Sequence, residues 1–444
     1  MRKPIIAVLI AGAFLSLNAG ATDLLQIYKD ALLNDAQFGS ARASLAAGQE
    51  KPIQGRALIL PTIAINGTDT RSRNDVSSDA FPGSFNYSST ANSYALTLSQ
   101  PLFRWANWQQ YQQGKLALVV SEAQFALSQQ DLITRVAQAY FDVLAAQDTL
   151  TTLQAQKVAI SEQLASAKRN FEVGTSTITD THEAQARYDL TVAQEFAGVS
   201  DLQIKRAALQ QIIGKEAGEL ALLKTGIKLS SPQPERIDDW VGSAEKQNYG
   251  VIASQVNVEI AQRDIQRNRA GHYPTLDLVA SSGRNSNGGM PLSISSSGNT
   301  VVKNNSIGVQ WSIPIFSGFG VDSRVRESIA LEDKARNDLE FARRTAAQGA
   351  RQSYFGVNSG LAQVKALEAA EISSQSALDS NKLGYQVGVR INIDVLNAQQ
   401  QLYTTQRDLA KARYDTIMNG LRLKSAAGTL KEDDLAEVNG LLQH

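Results

Sequence analysis

The sequence predicts a mixed α and β chain written twice, and three observations predict it. "NFEVGTSTITDTHEAQ", Asn170 to Gln185, is echoed by "GYQVGVRINIDVLNAQ", Gly384 to Gln399; each places an aromatic residue, a Val-Gly pair and an aspartate six residues past the glycine. All ten prolines lie outside residues 102–231 and 315–444, leaving two long runs rich in helix formers. Four short segments between these runs alternate with period two, the signature of strands.

The repeat extends well beyond the echo. "GRALILPT" and "NRAGHYPT" align Pro61 with Pro274, "SQPLF" and "SIPIF" align Pro101 with Pro314, Tyr140 in "QAYFDVL" meets Tyr354 in "QSYFGVN", and Gly174 meets Gly388. A spacing held this steadily marks a duplication. The expected organisation is a signal peptide at 1–21, a first repeat at 22–231 and a second at 232–444. The first repeat holds a hairpin at about 60–103 and long helices at about 104–213; the second holds a hairpin at about 273–316, long helices at about 317–427 and a C-terminal segment. Gly214 to Asp239, with Pro232 and Pro234, reads as the linker.

In the proline-free runs, apolar residues recur at spacings of three and four, as in Val136, Tyr140, Val143, Leu150 and Leu153, and again in Tyr354, Val357, Leu361 and Val364. That is a narrow coiled-coil seam. One helix from Trp105 to Phe171 would reach about 100 Å at 1.5 Å per residue.

The period-two segments are "PTIAING", "SYALTLSQPLF", "PTLDLVA" and "SIGVQWSIPIF". They predict two hairpins with strands of about 10 residues, the length that crosses an outer membrane. The Ser-, Asn- and Gly-rich tracts between them read as long solvated loops. Trp105 and Trp108, just after a strand, suit either an interfacial aromatic girdle or ordinary packing at a strand-to-helix junction. Four strands cannot close a barrel, so their edges predict an oligomer.

The ends and composition narrow the compartment. Arg2 and Lys3, the apolar run Ile5 to Leu17 and Ala19-Gly20-Ala21 form an export signal, with Thr22 as the expected new terminus. No later stretch supplies the roughly 20 apolar residues of an inner-membrane anchor. Cysteine is absent, which removes disulfides and thiol chemistry. Basic and acidic residues number 43 each, and no polybasic patch points to nucleic acid.

Enzymatic chemistry finds no support. His182, His272 and His444 lack metal-site spacing, the serines form no GxSxG elbow, and no phosphate-binding loop is present. No cofactor and no structural metal are expected. At the echo, Gly174 and Gly388 suit a left-handed helix end, Thr177 or Asn392 could cap the next helix, and Asp180 and Asp394 fall in its first turn. Capping by such an acid contributes about 0.3–1 kcal/mol, but it leaves unexplained why Tyr and Arg stand near the aspartate only in the second copy.

Across the mature chain, "YPTLDLVASSG", "AQAYFDVLAAQDTL", "NFEVGTSTITD", "GYQVGVRINIDVLNAQQQLYTTQRDLAKARYD" and "LKSAAGTL" resemble the TolC-like outer-membrane channels of tripartite export systems. The resemblance implies a homotrimer whose twelve strands form one β-barrel in the outer membrane, continued by a long α-helical coiled-coil tunnel through the periplasm. It implies a passive, gated duct for efflux or type I secretion, in contact with outer-membrane lipid. A periplasmic adaptor (membrane fusion) protein and an inner-membrane ABC or proton-driven transporter are the implied partners, with Val173, Gly174, Thr175, Val387, Gly388 and Val389 as docking tips. It further implies a gating latch in which Tyr385 and Arg390 donate to Asp180 and Thr179. A pore constriction is implied at Asp394 and Asn397, where the family pattern has two aspartates and this chain keeps one, so that cation blockade would rest on Asp394. The alternative function is a periplasmic coiled-coil adaptor or scaffold without a pore.

Overall fold

The computed structural model describes residues 21–78, 81–224, 226–293 and 296–443. The expected signal peptide, apart from Ala21, lies outside the described residues, as does His444. The order of elements is three short helices, α1 (Leu24–Asn34), α2 (Ala36–Gln49) and α3 (Lys51–Ala57), a hairpin of β1 (Thr62–Ser78) and β2 (Phe81–Phe103), then α4 (Trp105–Glu172) and α5 (Ile178–Ile213). The second half follows the same plan: α6 (Ile237–Gln247), α7 (Tyr249–Arg269), β3 (Thr275–Ser293), β4 (Ser296–Ser312), α8 (Gly320–Gln386), α9 (Asn392–Ala426) and a terminal α10 (Glu432–Asn439). α4 and α8 run 68 and 67 residues, which makes each a rod of about 100 Å. None of the helices among the described residues is long and apolar enough to cross a membrane.

The four strands form one antiparallel sheet in the order β1-β2-β3-β4. Its strands, 17 to 23 residues long, correct the expectation of about 10 residues with long loops. The polar tracts are themselves paired: Arg71 faces Thr90, Asn74 faces Tyr87, and Asn285 faces Val302. Backbone ladders need no apolar side chains, and a strand that runs past the lipid into water keeps its hydrogen bonds while its side chains turn polar. Composition therefore located the membrane-facing part and missed the strand ends.

Packing is concentrated at mid-height of the helical part. Leu24, Ile27 and Tyr28 of α1, Leu132 to Leu144 of α4, Leu209 and Ile213 of α5, Tyr414, Met418 and Leu421 of α9, and Leu435 of α10 bury into one core. The Tyr140 hydroxyl donates to the carbonyl of Ala221 at 2.8 Å, so even this buried polar atom is satisfied. Toward the α4–α5 and α8–α9 turns the core thins to small clusters, such as Ile160, Leu164 and Leu396, and Leu378, Val395 and Leu402. At the other end of the rods, Arg104 immediately before α4 donates to both oxygens of the buried Asp277 on β3, at 2.8 and 2.6 Å. This two-point contact ties the first repeat's rod to the second repeat's hairpin. Trp108 nearby rests edge-on against Tyr111 at 5.8 Å and remains partly exposed.

Candidate functional site at the helical tips

Each pair of long helices turns on a glycine. Gly174 and Gly388 take φ of 76° and 79°, backbone that side chains disfavour, and the amides of Thr175 and Val389 donate back to the carbonyls of Asn170 and Gly384 at 2.8 and 2.9 Å. Val173, Val387, Val389 and Ile391 stand exposed around these turns. Gly384 has a second reason to be glycine: a Cβ there would lie 2.7 Å from Cγ of Arg390, which folds back across the turn.

The two tips then diverge. In the first, Thr177 caps α5 and completes a capping box with Asp180. One carboxylate oxygen of Asp180, Oδ2, receives Ser176 Oγ at 2.7 Å, Thr177 Oγ1 at 2.9 Å and the Thr177 amide at 3.0 Å. Burial opposes the charge, but these hydrogen bonds outweigh it and hold the Asp180 carboxyl below the ordinary aspartate range. Among the described residues nothing donates to Oδ1.

In the second tip, Ile391 occupies the capping position and offers no side-chain bond. Asp394 is thus released from capping and stands 3.7 Å from Arg390. Asn392, expected as a candidate cap, is instead the first residue of α9 and is fully buried. Its Nδ2 donates to the main-chain carbonyl of Asp180 at 3.1 Å, and its Oδ1 accepts from Gln163 Nε2 at 2.5 Å. This one amide joins α9 to both helices of the first repeat.

Gln163 is the middle of three polar positions one heptad apart on α4. Gln156 donates to Gln400 at 3.1 Å, and Asn170 donates to the Tyr385 hydroxyl at 3.2 Å. Heptad spacing keeps all three on the stripe facing the second repeat. The sequence carried that signal as polar residues at coiled-coil spacing, but an apolar-periodicity reading passes over it.

Within one chain, Tyr385 and Arg390 make no bond to Asp180 or Thr179, and Thr179 is exposed. The Tyr385 hydroxyl accepts from Asn170, which leaves its hydrogen available to an acceptor. Arg390, Asp394 and Asn397 do come together, lining a cavity of about 510 Å³ between α8 and α9 with Asn381 and Gln401. Asn397 accepts from Arg187 at 3.0 Å. No group of three or more metal-binding side chains occurs among the described residues.

Comparison with known proteins agrees with this architecture. The family described as "Outer membrane efflux protein" matches residues 27–215 and 240–429, one match per repeat. The outer membrane protein TolC of Escherichia coli is 33% identical over 99% of this chain and 88% of its own length. The alkaline protease secretion protein AprF of Pseudomonas aeruginosa is 33% identical over 96% of this chain and 89% of its own. The crystal structure of VceC from Vibrio cholerae superposes with a TM-score of 0.76, covering 91% of this chain and 96% of that one, at 19% identity. A family match through both halves sets aside the pore-less adaptor or scaffold. The chain belongs to the outer membrane efflux protein family and is an export duct of the outer membrane that reaches into the periplasm, with no enzymatic activity.

Proposed function

We propose that three copies of the chain form the conduit, with a periplasmic entrance at the α4–α5 and α8–α9 tips that is held shut by bonds between neighbouring copies and opened when an adaptor and an inner-membrane transporter dock. Support for a closed ring of copies comes from β1 and β4, whose outer edges have no partner in the four-stranded sheet. Support for docking at the tips comes from the exposed valines around Gly174 and Gly388.

The observation that carries the latch is the mismatch between the tips. The first holds an ionised carboxylate whose Oδ1 receives nothing from the described residues, and the second holds the unspent hydroxyl hydrogen of Tyr385 and the exposed guanidinium of Arg390. Acceptors on one repeat and donors on the other suit a bond between neighbours, with Thr179 as a further acceptor. Charge-assisted bonds of about 1.5–3 kcal/mol each are strong enough to bias a closed state and weak enough for docking to release.

Replacing Tyr385 by Phe together with Arg390 by Ser tests this reading in planar bilayers. Single-channel conductance is expected to rise while the barrel is untouched; an unchanged conductance would show that these residues only shape their own turns. For cargo, AprF and the Dickeya chrysanthemi protein PrtF, 31% identical over the whole chain, are named for protease secretion, which favours secreted protein as one cargo class.

A further inference from the structure

The sheet separates its charges in an unusual way. Following the register, one face carries Ile63 and Ile65 of β1, Tyr94, Leu96 and Leu98 of β2, Leu276, Leu278 and Ala280 of β3, and Ile307, Val309 and Trp311 of β4. This apolar face is the one that meets lipid in a family of outer-membrane ducts. Asp69, Arg71, Arg73, Asp75, Arg284 and Lys303 also fall on this lipid side, by the same alternation. On the lumen side, the only charge among the described strand residues is Asp277, which is taken up by Arg104. Charge is placed on the outward face of the sheet rather than on the face of the water channel.

Arg284 and Lys303 stand apart within this set. They are direct cross-strand partners, and Tyr94 is the partner of Arg284 on its other side. Like charges directly opposite on an antiparallel pair have Cβ atoms about 5 Å apart and destabilise it. Neither head group makes an ion pair or hydrogen bond among the described residues, and both are exposed. Arg71 and Arg73, by contrast, are flanked on their own face by Asp69 and Asp75. The height is telling as well. The Arg284–Lys303 pair lies eight residue steps beyond the Leu276–Trp311 pair at the helical end of the sheet, roughly 26 Å along the strands before tilt. Barrel strands tilt by about 35–45°, so this distance is about 20 Å in height, which places the pair in the outer part of an apolar band about 25 Å tall, on the side away from the periplasmic helices.

We infer that Arg284 and Lys303 form a binding site for the phosphorylated headgroup of a lipid in the outer leaflet. The guanidinium supplies two parallel donors to a phosphate and the ammonium a compact second charge, while Tyr94 packs against the sugar or upper acyl region. A dianionic headgroup seated there turns a repulsive cross-strand pair into a three-body attraction. The site rests on the sheet's placement in the outer membrane and is independent of the gating residues.

The test compares the wild-type channel with Arg284→Gln/Lys303→Gln in delipidated micelles, by thermal unfolding of the barrel and by native mass spectrometry of bound lipid. Without lipid, the neutral variant is expected to unfold at the higher temperature, because the like-charge contact is gone. Adding diphosphorylated lipid A should reverse that order, and the wild type should bind it about a hundredfold more tightly than the variant, the loss expected for two charge-assisted bonds. Arg71→Gln/Arg73→Gln should bind like wild type. Equal binding by wild type and the Arg284/Lys303 variant, or equal stabilisation by dephosphorylated lipid A, would overturn the inference. So would reproduction of the full effect by inorganic phosphate, which would make the site one for a free anion.

Discussion

Asn392 donates from its side-chain amide to the main-chain carbonyl of Asp180, across the boundary between the two repeats of one chain. The same aspartate keeps one carboxylate oxygen free among the described residues, so a single residue has its backbone held from within and one oxygen available to a neighbour. A movement of the second-repeat coil would disturb both.

Asn392→Leu preserves size and removes both bonds, leaving Gln163 and the Asp180 carbonyl without their partner. The expected cost is about 1–3 kcal/mol per chain at the tips, with little change at the mid-height core. Limited proteolysis near Gly388 should accelerate and single-channel conductance should rise. Wild-type values for both would make the amide a packing residue without influence on the entrance.

Acid should loosen the first tip. Hydrogen bonds from Ser176 and Thr177 hold the folded pKa of Asp180 below its unfolded value of about 3.9, so the stabilisation is complete above that pH and is lost as pH falls through the folded value. Hydrogen exchange over residues 174–182 should therefore quicken below about pH 3.9, and Asp180→Asn should abolish this dependence.

Exchanging the caps should exchange the behaviour of the acids. Thr177→Ile removes the capping box and is expected to cost about 1 kcal/mol of local stability. Ile391→Thr offers Asp394 a hydroxyl three residues before it and should draw its carboxylate into the turn, away from Arg390. Block of the channel by a trivalent cation should then weaken; unchanged block would show that Asp394 keeps its position regardless of the cap.

Cation block itself should depend on three neighbouring residues. Asp394→Asn is expected to remove most of it and Asn397→Asp to tighten it, because a second carboxylate sits one turn away on the same face. Arg390→Ser should also tighten it, since the guanidinium 3.7 Å from Asp394 competes with any ion. Titration of a trivalent cation against single-channel current orders the four proteins.

Much of this was legible in the residues. Proline placement and the Val136, Tyr140 and Val143 spacing announced the rods, since a long helix needs only good formers and a buried stripe. Strand ends were not legible, because Arg71 to Ser77 pairs through backbone groups that every residue type shares. At the tips, the cap by Thr177 could be read from local spacing. The role of Asn392 could not, because burial of an amide between three helices depends on how the repeats pack, and in sequence Asn392 reads as the natural cap while Ile391 does not. The partnership of Arg390 with Asp394 was hidden for the same reason: one turn of helix makes it available, but only the missing cap makes it happen.

The Arg104 contact with Asp277 fixes the far end of a long lever. Over a rod of about 100 Å, a sideways shift of about 10 Å at the tip corresponds to a turn of only about 6° at the base. A rotation that small bends a two-point contact without parting it. The barrel can therefore remain mechanically deaf to the state of the entrance, and lipid need not be rearranged each time cargo passes.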